Sequence, residues 1–320
     1  MKKSNISIVI PTYQAEATII RAIESVIHEQ LVSNVFVIDD GSTDGTEKTV
    51  NSLQYDKLVF KSGINSGACY ARNRGLNLSN DEYILFLDSD DYVEAGYIQQ
   101  FQEHMEHKPD LIIAGHRHID VDGMQIRTVT YSKNLKEWEL LAEYINNPIQ
   151  TSGFLWNRKW LLDGGGWDET FPIFQDAEIS IRMLLRDPKV SIIGKAEKLA
   201  VWVESGAATR ITNNISRKKI AAMHRGLLLH KNEIVSTGNI SAINGLASRL
   251  YELARKSYSR GFDDIGDLCI VEVRKLSNEG HIGSYSHRLL CNLIGLKAKI
   301  QLSEKIKKIL VGKKTIKNYK

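Results

Sequence analysis

The stretch Tyr83-Ile84-Leu85-Phe86-Leu87-Asp88-Ser89-Asp90-Asp91 constrains the fold of this chain more than any other. Five apolar or aromatic residues in a row read as a strand buried on both faces. The run stops at three carboxylates within four positions. Such a strand places negative charge at the carboxyl edge of a sheet, where open α/β folds keep their ligands. Carboxylates this close repel one another unless a cation lies among them, and hard oxygen donors favour Mn²⁺ or Mg²⁺. Read alone, the same stretch is equally a solvated acidic turn.

The residues before it repeat strand, polar loop, helix. A strand over 6–10 is ended by Pro11-Thr12-Tyr13. Apolar residues at 19, 20, 23, 26 and 27 predict an amphipathic helix. A second buried strand, 35–38, stops at Asp39-Asp40-Gly41-Ser42-Thr43-Asp44-Gly45-Thr46. That segment joins turn residues to helix caps, with Asp44 read as a cap and a helix from 47. A short strand over 58–60 leads to the glycine-rich loop Ser62-Gly63-Ile64-Asn65-Ser66-Gly67, which opens a helix through Arg72 and Leu76. The pattern predicts a doubly wound, mostly parallel sheet with its functional loops along one edge.

Beyond Asp91 the sequence predicts a helix over 94–107, a strand over 111–114 and a hairpin over 116–131. A helix over 138–145, a flexible turn over 164–169, a helix over 176–186 and strands over 190–193 and 199–203 follow. From 216 onward, apolar periodicity predicts helices alone. The expected division is an α/β domain over 1–214 and a helical region over 215–320.

Composition excludes several classes. A hydrophobic fraction of 42% and a charged fraction of 25% are ordinary for a soluble protein. Cys69, Cys269 and Cys291 are scattered, so neither a zinc site nor a disulfide framework is indicated, and a cytoplasmic location is expected. No apolar run reaches the length of a membrane span. No G-x-G-x-x-G follows the first strand and no phosphate-binding G-x-x-x-x-G-K-[ST] exists, which disfavours dinucleotide and P-loop readings.

The ordered set of segments resembles a known family. Ser7-Ile8-Val9-Ile10-Pro11-Thr12-Tyr13, Val37-Ile38-Asp39-Asp40-Gly41-Ser42, Asn65-Ser66-Gly67, Ala71-Arg72-Asn73-Arg74-Gly75 and Phe86-Leu87-Asp88-Ser89-Asp90-Asp91 look like the family 2 glycosyltransferases of GT-A fold. Gly165-Gly166-Trp167-Asp168-Glu169 and Gln175-Asp176-Ala177-Glu178, with Arg182, look like that family's acceptor-side segment. The likeness covers about 6–187. It implies an inverting transfer from a nucleotide diphosphate sugar, most often a UDP-sugar, to a hydroxyl of a saccharide or lipid-linked saccharide. Pro11, Thr12, Tyr13 and Glu16 would line the base and ribose pocket. Asp40, beside Asp39, would read the base, and Asn65, Gly67 and Arg72 would belong to the donor-side loop.

Asp88 and Asp90 match the family's D-x-D. Asp90 would be the main ligand of Mn²⁺ or Mg²⁺, Asp88 would face the ribose or a metal-bound water, and Ser89 between them would belong to the donor-binding set. Asp91 would touch the metal directly or hold a group that does. Asp176 matches the general base; Gln175 replaces the glutamate that many members carry there. The processive Q-x-x-R-W signature is absent, which implies one sugar per event. Two readings stand for several residues. Arg72 is a surface charge or else a structural or phosphate-loop group, and Asp168 a turn former or an acceptor contact. Trp156 and Trp167 read more as core than as sugar platforms. Arg210, in the polar stretch 206–214, is a candidate for closing on the diphosphate. A non-catalytic sugar-binding module and a sugar nucleotidyltransferase are the rival functions.

The net charge of +4 hides an asymmetry: residues 297–320 carry nine Lys and one Glu. Leu302, Ile306, Ile309 and Leu310 share one face of a helix there. A basic amphipathic tail predicts an anionic membrane surface as partner, with peripheral location at the inner face of the cell membrane, and no nucleic acid.

Overall fold

The structure is a computed structural model that describes residues 5–132, 141, 150–194, 197–204, 216–277 and 282–303. The expected helix over 138–145 (Leu141 apart), the stretch around Arg210 and the tail beyond Ser303 lie outside the described residues. The chain divides into two compact units, one from 1–140 and 148–214, the other from 141–147 and 215–320.

The first unit is built on a seven-stranded sheet. β1 (Ile6–Thr12), β2 (Val32–Asp39), β3 (Leu58–Ser62) and β4 (Tyr83–Phe86) run parallel in the order β3-β2-β1-β4. β5 (Tyr92–Val93) leaves this sheet and pairs with β11 (Ala200–Val203) in a second one, of order β5-β11-β7-β8. In that sheet β7 (His116–Ile119) and β8 (Gln125–Val129) form the expected hairpin. β6 (Leu111–Ile113), β9 (Phe154–Asn157) and β10 (Val190–Ile192) complete the main sheet as β10-β6-β9-β4.

Three helices link the first four strands: α1 (Ile19–Ile27), α2 (Thr46–Asn51) and α3 (Ala68–Leu78). Ile6, Ile8 and Ile10 of β1 pack into one core with Ile19, Ile23 and Val26 of α1. Alternate side chains point the other way, where Val9 meets α3. Gly75 of α3 lies so close that a Cβ there would sit 2.4 Å from Val9 Cγ1. Gly75→Ala is therefore expected to lower stability by about 1–3 kcal/mol through overpacking, against the ~1 kcal/mol of helix propensity that alanine brings. A urea titration of the two proteins checks this.

Two expectations need correction. The stretch 94–107 is not one helix. Gly96 takes φ +83, and helical structure begins only at a 3₁₀ turn, Ile98–Phe101, followed by α4 (Gln102–Met105). β9 was not foreseen. It is antiparallel to both β4 and β6 and sits between them in the middle of the sheet. Trp156 is thereby core, at 1% exposure. α5 (Arg158–Asp163) follows it, started by the Asn157 side chain accepting from Trp160 N, and α6 (Gln175–Leu184) comes after the turn.

The second unit is helical among its described residues: α7 (Arg217–Leu229), α8 (Lys231–Ser236), α9 (Ile240–Ser259), α10 (Asp263–Leu276) and α11 (Tyr285–Ile294). Asn239 caps α9 by accepting from Ala242 N at 2.9 Å. Leu246, Leu250 and Leu253 of α9 are buried, as are Ile270 and Val273 of α10.

Candidate functional site

The carboxyl ends of β1, β2 and β4 carry the candidate residues. The loop after β1 is tied to the loop after β2. Gln14 Oε1 accepts from Thr43 N and Asp44 N at 3.3 and 3.1 Å, and Gln14 N donates to Ser42 Oγ at 2.9 Å. Ala15 N donates to Thr46 Oγ1, and Glu16 N to Asp44 Oδ2. The Glu16 carboxylate accepts from Gly45 N at 2.9 Å. Asp44 also accepts from Thr46 N and Thr46 Oγ1, so it fixes the start of α2. Pro11 lies inside β1, beyond the end of β4, where only β2 pairs with it. Thr12 is buried and donates its hydroxyl to Ile10 O, while Tyr13 is exposed.

Asp39 and Asp40 are both buried. Asp39 accepts from Ser42 N and from Ser62 Oγ at 3.0 Å. Asp40 Oδ1 accepts from Ser66 N at 2.7 Å and Oδ2 from Gly67 N at 2.9 Å. The Asp40 carboxylate thus shapes the 62–67 loop that opens α3, and keeps lone pairs for a further donor. Gly41 is required here: its φ is +78, and a Cβ would lie 2.9 Å from Asn65 N.

A second cluster forms around Arg72. Its guanidinium is buried; Nη2 donates to Asp88 Oδ1 at 2.7 Å and Nη1 to Gln175 Oε1 at 2.9 Å. It stacks over the Trp167 ring at 4.5 Å. Arg72 is thus no surface charge; it joins α3, the end of β4 and the start of α6. Cys69, one turn earlier, is pushed up to about 12 by burial, which leaves its thiol inert.

Asp176 enters this cluster from the first turn of α6. The residue at the helix start, Phe174, holds φ 73, a left-handed conformation that costs about 1–3 kcal/mol. Thr151 Oγ1 donates to Asp176 Oδ1 at 2.8 Å. Burial raises the carboxyl above its ordinary range; Arg72 opposes that shift and Asp88 adds to it. A carboxylate with a raised pKa beside one cation and one like charge is suited to accept a proton.

The segment 164–169 has no regular structure, yet it is pinned, where a flexible turn was expected. Arg182 pairs with buried Glu178 at 2.7 Å, donates to Gly166 O at 2.7 Å and also holds Gly164 O. Asn73 donates to Trp167 O and Glu169 Oε1 and accepts from Trp167 N, all at 2.8 Å. Trp167 is core, edge-on to Phe86 at 5.2 Å. Asp168 accepts from Thr170 N and Thr170 Oγ1, the bonds of a turn former.

Asp88 and Asp90 are both partly exposed, whereas Asp91 is buried and accepts from Val203 N at 2.9 Å and from Gln150. Asp91 therefore ties β11 to the end of β4. Among the described residues no group of three His, Cys, Asp or Glu could hold an ion alone. Two hard carboxylate donors at an open edge fit Mn²⁺ or Mg²⁺ that draws its other ligands from diphosphate and water. Sequence reasoning did not identify Thr151, nor Gln175 as the partner of Arg72. The signal for Gln175 was present in its adjacency to Asp176; Thr151 offered none.

The sheet and the site along its carboxyl edge define a GT-A α/β fold. Residues 7–165 match the model of glycosyl transferase family 2, and through this segment the chain belongs to that family. It is 32% identical over 197 residues to the amylovoran biosynthesis glycosyltransferase AmsB of Erwinia amylovora, covering 57% of this chain and 64% of that protein. It is 38% identical over 90 residues to the UDP-Glc:alpha-D-GlcNAc-diphosphoundecaprenol beta-1,3-glucosyltransferase WfaP of Escherichia coli, covering 27% of this chain and 36% of that one. The chain thus spans less than two thirds of either relative. Residues 1–349 of S. aureus TarS in complex with UDP-GlcNAc share the fold, with a TM-score of 0.59 at 17% identity over 84% of this chain and 90% of that one.

Proposed function

We propose that this chain is a metal-dependent, inverting glycosyltransferase that moves one sugar from a UDP-sugar to a hydroxyl of a surface-glycan or lipid-linked saccharide. The observation that carries this reading is Asp176, with its raised pKa, beside Arg72 and Asp88 at the sheet's carboxyl edge. Asp176 takes the acceptor hydroxyl's proton as that oxygen attacks the anomeric carbon and the bond to the diphosphate breaks. Thr151 holds the carboxylate in place for that transfer. Asp40, Asp39, Thr12, Tyr13 and Glu16 shape the nucleotide end of the site, and Asn65 and Gly67 its loop. Asp90 and Asp88 would hold Mn²⁺ or Mg²⁺, which when bound would supply charge stabilisation for the departing UDP.

The names of WfaP and the TarS complex support a UDP-linked donor of the hexose or N-acetylhexosamine class, the name of AmsB supports a role in polysaccharide biosynthesis, and the name of WfaP supports a lipid-linked acceptor. A nucleotidyltransferase fits less well. The loop after β1 has no basic residue, and its amides at Gln14, Ala15 and Glu16 already donate within the protein, so it cannot cradle phosphates. The proposed place of work is the cytoplasmic side of the membrane, with the tail beyond Ser303 as a basic contact to anionic lipid. No helix among the described residues is long and apolar enough to cross a membrane.

Calorimetry with UDP tests the metal assignment. Mn²⁺ is expected to tighten UDP binding to the parent protein, and Asp90→Ala to remove that increment while the fold remains. Equal Mn²⁺-dependent binding by both proteins would refute it.

A further inference from the structure

Helix α11 carries its apolar side outward. On the helical wheel Tyr285, Leu289, Leu293, Leu290 and Ile294 occupy one half, with Ser286 the single polar residue among them, and His287 and Cys291 occupy the other. The exposures are 76% for Tyr285, 49% for Leu289, 73% for Leu293, 39% for Leu290 and 43% for Ile294, against 1% for Cys291. An ordinary surface helix does the reverse and turns its apolar stripe to the core.

The orientation is fixed from the inner side. The Tyr251 hydroxyl hydrogen-bonds His287 Nε2 at 2.8 Å, and the Cys291 thiol lies 3.4 Å from the same nitrogen. Lys299 reaches the other ring nitrogen of His287, and Ser284 accepts from His287 N to start the helix. These contacts turn the outward half away from the described residues of this unit, and its side chains are exposed.

Two observations say what covers it. An open cleft of about 680 Å³ between α10 and α11 is lined by Val271, Ile270, Ile294 and Leu296 together with Arg274, Asp267 and Lys297, the last paired with Asp263 at 2.9 Å, which places Arg274 beside the apolar half. From Ile282 to Lys320 the sequence has ten Lys or Arg and one Glu. An apolar helix face with a tyrosine at one end, on a stretch of sequence this basic, matches the boundary of an anionic bilayer, where acyl chains lie under negative headgroups.

We propose that α11 docks this chain on an anionic lipid bilayer by inserting Tyr285, Leu289, Leu293 and Ile294, separately from any contact made by the Lys-rich tail. The docking rests on the proposed function for its purpose, which is to hold the enzyme at the surface that carries a lipid-linked acceptor. It does not depend on that function for its test.

The test is co-sedimentation of the full chain with phosphatidylglycerol–phosphatidylcholine vesicles, at low and high salt. The parent is expected to bind. The exposed double variant Leu289→Gln/Leu293→Gln is expected to lose about tenfold in partition for each leucine, and the gap is expected to persist at high salt, where the Lys contribution is screened. A variant with Lys305, Lys307 and Lys308 changed to Gln should lose only the salt-sensitive part. If the double variant binds as the parent does, the proposal is wrong. It is equally wrong if sedimentation velocity without vesicles finds a parent dimer that the double variant splits, because the face then belongs to a second copy. UDP release from a donor, measured without vesicles, tests the glycosyltransferase reading separately, and its failure would leave the vesicle result standing.

Discussion

Turnover is expected to fall by about 10²–10⁴-fold in Asp176→Asn, the range for loss of a general base, with donor binding unchanged. The amide keeps the shape, and its oxygen still accepts from Thr151. A stability measurement separates the chemical role from a structural one. Burial holds the Asp176 carboxyl above its unfolded value. The folded chain therefore binds that proton more tightly than the unfolded chain does. This contribution is fully present below the unfolded value and is lost as pH rises through the raised folded value. The neutral Asn variant is thus expected to be at least as stable as the parent at neutral pH and no more stable in acid. The parent's activity should fall as pH is lowered through the raised pKa, and that limb should vanish from the residual rate of the variant. Near-normal turnover in Asp176→Asn would overturn the assignment of Asp176 as the base.

The second large effect belongs to Arg72. Arg72→Met keeps the length and removes the charge. Asp88 then loses its cation, Gln175 its donor and Trp167 its stacked partner. Breaking a buried pair by removing one member costs about 3–5 kcal/mol; Asp88 is about one-third exposed (32%), which favours the lower end. The same change removes the cation that opposes the rise in the Asp176 pKa, so the acid limb of activity should move to higher pH. Arg72→Lys is expected to rescue only part of the loss, because one ammonium lacks the fork that reaches both Asp88 and Gln175. Urea titrations and pH–rate profiles of the three proteins read both effects.

The parallel half of the sheet was legible because β1, β2 and β4 are apolar on both faces and end abruptly in polar residues, a pattern with few other readings. β9 was not, because Phe154-Leu155-Trp156-Asn157 is short, lacks alternation and pairs only with strands far away in sequence. Its place in the middle of the sheet is a tertiary fact, and with it came Thr151, set just before the strand. The position of the candidate residues along one edge could be read from the strand ends. Their engagement could not. Glu16, Asp39, Asp40 and Asp91 are acidic residues after strands or in the loops beyond them, and the sequence does not tell a carboxylate open to a ligand from one that holds a backbone amide. The Asp40 bonds to Ser66 N and Gly67 N, and the Asp91 bond to Val203 N, are of the second kind. The pinned turn at 164–169 shows the same limit: its three glycines suggest freedom, while Asn73 and Arg182, the latter held by Glu178, remove it.

Donor chemistry at the Asp88, Asp90 and Asp176 edge is read by UDP release. Purified chain is mixed with UDP-glucose, UDP-galactose, UDP-GlcNAc or UDP-GalNAc and Mn²⁺, with water as the acceptor of the sugar, and free UDP is followed in parallel for the parent, Asp90→Ala and Asp176→Asn. Mn²⁺-dependent UDP release by the parent is expected from at least one donor. Release should be lost in Asp90→Ala together with Mn²⁺-dependent UDP binding, and lost in Asp176→Asn with UDP binding retained. Release that is equal in all three proteins, or none from any donor with the parent, would overturn the assignment of these carboxylates.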